Sequence, residues 1–278
     1  MNLHTLKLFS AIRQRVIKSS KDFWDNFGTI ESLEKLEIDT SQDEKYLKEN
    51  DLSIVSIFDD ELNCFVGTIK KEEIPILLVC KGDVSLIRDI SKNVAVVGTL
   101  NPSEDIKNRE QQIAQSLLQN SKIIVSGLAK GCDTIAHETG LKCGGKTIAI
   151  LPTTINNIYP KENIRLADEI AKNDGLVLTE YVTEPATRFE RINRFIARDR
   201  LQALFCKDII LIASHRQGEG DSGSRHAMSK AKKYGRNRYV MFNKSKDHEN
   251  PQFGLNQDLV EKGCEMLTID NYIKRKYY

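Results

Sequence analysis

The spacing of apolar positions changes character near residue 50. Over residues 3–35, Leu6, Phe9, Ile12, Val16 and Ile17, then Phe23, Trp24, Phe27, Ile30 and Leu33, recur at helical intervals. Arg13, Arg15, Lys18 and Lys21 lie among them and suit a solvated helix face. Residues 37–50 are polar and acidic, with Ser41-Gln42-Asp43-Glu44 in a row, which predicts a linker or boundary. From residue 52 onward, short apolar runs alternate with helical patterns. Strands are expected at Ile54–Phe58, Ile76–Val79, Val94–Val97, Ile123–Val125, Thr147–Leu151, Leu176–Leu178, Ile209–Ile212 and Arg238–Phe242. Helices are expected near 83–90, 104–119, after Asp133, before Gly144, around Leu166 and Ile170, over 189–205, up to about 234, and around Leu259 and Val260. That alternation predicts an α/β fold: a mostly parallel sheet with helices on both faces, preceded by a small helical region over 1–47.

In such sheets a ligand lies beyond the carboxyl ends of the strands. The run Ile123-Ile124-Val125-Ser126-Gly127-Leu128-Ala129-Lys130-Gly131-Cys132-Asp133 reads as strand, glycine turn and helix start, with Asp133 placed to cap the helix. Its backbone amides and Lys130 suit an anion. Comparable corners occur at Gly98-Thr99, at Thr153-Thr154 and at Ser222-Gly223-Ser224, and Lys161, Arg198 and Arg200 add rim charge. Together they suggest a phosphate-bearing ligand.

Neither GxGxxG after the first strand nor GxxxxGK[ST] occurs. His137, His215 and His226 have no serine or cysteine nucleophile at recognisable spacing, so no catalytic residue is assigned. His137 reads as a packed or capping residue. Cys132, near a helix N-terminus and Lys130, reads as a small turn residue more readily than as a reactive thiol.

With 278 residues, 40% of them hydrophobic and 29% charged, the chain can build a sizeable core. A net charge of +2 means that any nucleic-acid contact must come from a local patch. The six cysteines, Cys64, Cys80, Cys132, Cys143, Cys206 and Cys264, form no CxxC pair. They imply a reduced, cytoplasmic setting without zinc. No stretch has the length of a membrane span, and Met1-Asn2-Leu3-His4-Thr5 does not open a secretory signal.

From about residue 48 to 270 the chain resembles the DprA/Smf family of DNA-processing proteins. The residues that carry the resemblance run in order. Val94-Ala95-Val96-Val97-Gly98-Thr99 is followed by Asn101-Pro102-Ser103, and Ile124 to Gly131 by Asp133, Ala136 and His137. Then come Gly145-Lys146-Thr147-Ile148-Ala149, Tyr159-Pro160-Lys161 with Asn163, Glu180, Phe195 with Arg198-Asp199-Arg200 and Ala203, Ser222-Gly223-Ser224 with Ala231, and Gly235-Arg236.

The resemblance implies an extended Rossmann-like domain over 48–278. It implies binding of single-stranded DNA, self-association as a homodimer, and delivery of that DNA to a RecA-type recombinase in natural transformation, without catalysis or a cofactor. It also brings Leu128, Ala129 and Asn163 into the expected DNA site beside Gly98, Thr99, Ser126, Gly127, Lys130, Lys161, Arg198, Arg200, Ser222, Gly223 and Ser224.

Three positions depart from the family pattern. Leu100 stands for a DNA-facing arginine, with Lys107 or Arg109 as possible substitutes. Pro152-Thr153-Thr154 replaces a glycine-rich turn, and Asp199 replaces an asparagine. The chain ends in Lys274-Arg275-Lys276-Tyr277-Tyr278, so no winged-helix-like appendage is expected. A nucleotide-binding or nucleotide-sensing protein of the same wider fold group is the alternative. The GGxGTxxE signature of the related phosphoribohydrolases is missing from Asp221-Ser222-Gly223-Ser224-Arg225, which argues against nucleoside monophosphate cleavage. A scaffold that recruits a partner through residues 1–47 is a third reading.

Overall fold

The computed structural model describes residues 2–220 and 223–267. Its strands are β1 (Ser53–Ser56), β2 (Leu77–Gly82), β3 (Asn93–Val97), β4 (Ile123–Ser126), β5 (Thr147–Ile150), β6 (Leu176–Thr179), β7 (Asp208–Leu211), β8 (Asn237–Met241) and β9 (Glu265–Leu267). Its helices are α1 (Leu3–Arg13), α2 (Ser20–Asn26), α3 (Ile30–Glu34), α4 (Ser41–Glu49), α5 (Asp60–Asn63), α6 (Glu104–Gln119), α7 (Cys132–Lys142), α8 (Ile164–Lys172), α9 (Arg188–Leu204), α10 (Ser224–Lys233) and α11 (Gly254–Glu261).

The nine strands form one sheet in the order β1-β2-β6-β5-β4-β3-β7-β8-β9. β1 with β2 and β2 with β6 pair antiparallel, and the remaining neighbours are parallel. This is the α/β class that the alternation of runs predicts, with the Rossmann-like layout that the family resemblance implies. The central strands are buried almost throughout, β3 at all five positions and β4 at all but Ile123, so they carry Val, Ile and Ala rather than an alternating pattern. From β3 the chain steps one way through α6, β4, α7, β5, α8 and β6. From β7 it steps the other way through α10, β8, α11 and β9. Right-handed crossovers place these two helix sets on opposite faces and make the β3–β7 seam the switch point of the sheet. The long helix α9 is the return from one half to the other. Among the described residues no helix is long and apolar enough to cross a membrane.

The helical pattern over 3–35 breaks into three short helices. Arg15 adopts φ 60°, and the Val16 and Ile17 amides both fold back onto the Ala11 carbonyl, closing α1. Ser19 then caps α2, and Thr29 with Ser32 forms a capping box on α3. Residues 37–50, predicted as a linker, contain α4. Arg13 pairs with Asp43 at 2.8 Å and stacks its guanidinium on Tyr46, which fixes α4 against α1. Polarity alone could not separate an exposed helix from a linker here. The N-terminal helices dock on the β1 edge: Thr5 Oγ1 lies 2.9 Å from Ser56 Oγ, and both reach the Asp59 carboxylate. Phe9, Phe23 and Leu33 join the same apolar cluster as the sheet residues.

A cleft at the switch point

β4 ends at Ser126 and the chain turns through Gly127–Gly131 into α7. Leu128 (φ 59°) and Gly131 (φ 73°) take left-handed conformations, and a Cβ on Gly131 would strike the Thr99 and Leu100 carbonyls. The turn is held from outside by Asn163, whose amide donates to Leu128 O at 2.9 Å, Ala129 O at 3.4 Å and Thr134 Oγ1 at 2.8 Å. Asp133 does not cap α7. The N-cap is Gly131, and the Asp133 carboxylate reaches back to accept from Gly127 N at 3.1 Å and Ala129 N at 3.3 Å. The backbone donors expected to meet a phosphate at this corner therefore already hold a buried carboxylate.

Arg198, on α9, lies beneath Gly127. A Cβ at position 127 would overlap the guanidinium, which is why the sequence needs glycine there. Arg198 Nη1 is 3.9 Å from Asp133 Oδ2, and Arg198 Nε is 3.4 Å from Asp199 Oδ1. With its amide turned to satisfy its neighbours, Gln202 accepts from Gly127 N at 2.9 Å and Arg198 Nη1 at 3.0 Å. Burial pushes the Asp133 carboxyl above its usual range, against the pull of Arg198 and the backbone amides. Burial also lifts Asp199 to about 7, opposed by Arg198 and reinforced by Asp133. His137, fully buried with Nδ1 2.6 Å from Thr147 Oγ1, is pulled down to about 3 by burial and by Arg198. It is a packed neutral histidine. Burial drives the Cys132 thiol far up, and Glu110 raises it further, so Cys132 is not a poised nucleophile.

Above this floor is a cleft of about 510 Å³. Its walls come from five βα connections: Leu100 after β3, Gly127, Ala129 and Lys130 after β4, Pro152, Tyr159 and Pro160 after β5, the α9 residues Ile192, Phe195, Ile196, Arg198 and Asp199, and Gly223, Arg225 and His226 after β7. Tyr159 and Phe195 meet edge to face at 5.6 Å. Lys130 is exposed at the rim and pairs with Glu162 at 2.8 Å.

Of the residues expected in the site, Gly127, Ala129, Lys130, Arg198 and Gly223 line this cleft. Others support it from behind: Ser126 Oγ donates to Val96 O at 2.6 Å, Thr99 O accepts from Cys132 N at 3.1 Å, and Ser224 Oγ donates to Gly98 O at 3.2 Å. Leu128 is buried, Asn163 is the brace of the turn, and Lys161 is exposed beside the cleft rather than in its lining. Ser222 lies outside the described residues.

Arg200 does not reach the rim. It turns to the opposite side of α9, where Nη1 and Nη2 donate to Glu180 at 2.6 and 2.5 Å and Nε donates to the Glu73 carbonyl. Arg198 and Arg200 are two positions apart, about 200° around a helix, so both cannot face one ligand. Lys107 and Arg109 do not replace the charge absent at Leu100. Lys107 pairs with Glu104 at 2.6 Å, and Arg109 makes a bidentate pair with Asp247 at 2.8 Å while lying over Phe253. Tyr159 and the apolar face of α9 were not singled out as site residues by sequence. Sequence showed only the helical spacing of Phe189, Ile192 and Ile196; that they are exposed by 74%, 51% and 43% comes from the structure.

Residues 53–276 match the profile of the family described as DNA recombination-mediator protein A. The DNA processing protein DprA of Streptococcus pneumoniae is 35% identical over 218 residues, which span 77% of this chain and 70% of that protein. The Bacillus subtilis DprA is 29% identical over 193 residues, 69% of this chain and 61% of that protein. The crystal structure of the pneumococcal protein superposes with a TM-score of 0.71 at 29% identity, covering 95% of this chain and 90% of that one. A Helicobacter pylori DprA structure, described by its single-stranded DNA binding mode, gives 0.65 at 28% identity, covering 81% and 94%. On the profile match and the pneumococcal identity together, this chain belongs to the DNA recombination-mediator protein A (DprA/Smf) family.

Proposed function

We propose that the protein binds single-stranded DNA across the switch-point cleft and passes it to a RecA-type recombinase during uptake and recombination of foreign DNA. The observation that carries this reading is the pairing of Tyr159 and Phe195 in a cleft whose rim bears Lys130 and Arg225. Aromatic rings stack unpaired bases with little regard to sequence, and mobile cations follow the backbone phosphates. Membership of the family, and the single-stranded DNA binding described for the Helicobacter relative, support it. The Lys130–Glu162 pair is exposed and exchangeable, so a phosphate can displace Glu162 without a large penalty.

The protein acts by binding, not by catalysis, on this reading. It works as a homodimer, for which Phe189, exposed on α9 outside the cleft lining, offers an apolar contact. A free nucleotide is the alternative ligand, and one titration separates the two. Labelled oligo-dT and free mononucleotides are offered at two salt concentrations. Affinity for oligo-dT that rises with length and falls steeply with salt supports DNA. Tight mononucleotide binding without oligonucleotide binding overturns it. Sedimentation or light scattering reads the oligomeric state.

A further inference from the structure

The floor of the cleft is poorly suited to phosphate. Its backbone amides at Gly127 and Ala129 are occupied by Asp133, and around the single guanidinium of Arg198 stand two carboxylates, Asp133 and Asp199. Asp133 is turned toward the amides. Asp199 is the one that lines the cleft, with 13% of its side chain exposed, and it accepts no hydrogen bond among the described residues. The other groups around it are Arg198 on its own helix, Asp133 from α7, and Arg225 and His226 at the start of α10, with Lys130 at the rim. Gly223 faces the carboxylate across the cleft: the place of its missing Cβ is 3.8 Å from Asp199 Oδ2.

A carboxylate is an acceptor at both oxygens. An unpaired guanine presents two adjacent donors, N1–H and the N2 amine. Adenine and cytosine each present one donor beside an acceptor, and thymine flanks its single N–H with two acceptors. Single strands expose these edges, and Tyr159 and Phe195 provide flat walls for the ring.

Resting on the single-stranded DNA reading, we propose that Asp199 receives the Watson–Crick edge of a guanine, so that the cleft holds a base and the phosphates stay at the rim. Asp199 is then a specificity-determining residue, and the strand is held with a base preference at one position.

The test compares a dT oligonucleotide with the same oligonucleotide carrying one central dG or one deoxyinosine, which keeps N1–H and lacks the N2 amine. Fluorescence anisotropy is read at pH 6 and pH 8. The expected result at pH 8 is about tenfold tighter binding of the dG strand than of dT, with deoxyinosine between them. The dG advantage shrinks at pH 6, because Asp199 titrates near 7 and its protonated form gives up one acceptor. Asp199→Asn, which keeps the shape, brings dG and dT together. Equal affinities for dG and dT at pH 8 overturn the inference while leaving the DNA reading intact. So does a uniform tightening of every strand toward pH 6, the signature of a phosphate meeting Asp199. Failure of every oligonucleotide to bind removes the DNA reading and this inference with it.

Discussion

Asp133 and Arg198 approach to 3.9 Å at the Gly127 turn, and neither is on the surface. The pair ties α7 to α9 and shapes the floor of the cleft from opposite sides of the switch point. Gly127→Ala pushes a methyl group into the guanidinium. We expect a loss of about 1–3 kcal/mol in stability, typical of overpacking, together with a marked loss of oligonucleotide affinity. Chemical denaturation and an anisotropy titration read the two effects.

Asn163 is a brace with no place in the lining. Asn163→Ala leaves the buried Leu128 carbonyl without its side-chain donor and frees the turn. The expected cost is about 1–3 kcal/mol. Affinity falls because the turn loosens, and faster amide exchange across residues 127–131 reports it directly.

Arg200 and Lys130 should separate cleanly. Arg200→Ala strands the buried Glu180 carboxylate and costs about 3–5 kcal/mol, while the protein that remains folded binds DNA as before. Lys130→Ala leaves the melting temperature nearly unchanged, weakens binding evenly across sequences and lowers the salt slope by about 1. A binding loss on Arg200→Ala at temperatures where the variant is fully folded would return that residue to the site.

Protonation of the floor sets a pH signature of stability. The Asp199 carboxyl is raised to about 7 in the folded protein, so its contribution is complete below the unfolded carboxylate range and is lost as pH rises toward 7. Asp199→Asn should therefore stabilise the protein at pH 8, by an amount on the order of a few kcal/mol, and much less at pH 5. His137, held near 3, acts in the opposite sense: stability is lost as pH falls below 6.5 toward 3. Thermal melts of wild type and Asp199→Asn between pH 5 and 8 check the first effect.

The order of strands and helices was legible because the central runs, such as Val94–Val97 and Ile209–Ile212, are buried on both faces and need no partner to be recognised. The glycine corner was legible for the same local reason. Two kinds of information were not. Which donors a carboxylate already occupies depends on where Asp133 points, and capping statistics favoured the wrong role for it. Whether Arg198 and Arg200 share a face was decidable from helical geometry, yet which of them faces the cleft required the packing of α9. The helix at Ser41–Glu49 was hidden because its stabilising contacts, Arg13–Asp43 and Arg13 on Tyr46, join residues about thirty apart.

Because the cleft draws its walls from five successive strand-to-helix connections, no fragment that stops short of α10 contains the whole of it. During synthesis, a nascent chain that has emerged only as far as α8 has the glycine turn but neither Arg198 beneath it nor Gly223 across from it. Capture of ligand must await the emergence of α10, by which time most of the sheet has been made. On the proposed DNA-binding reading, the architecture thus keeps unfinished chains from occupying DNA.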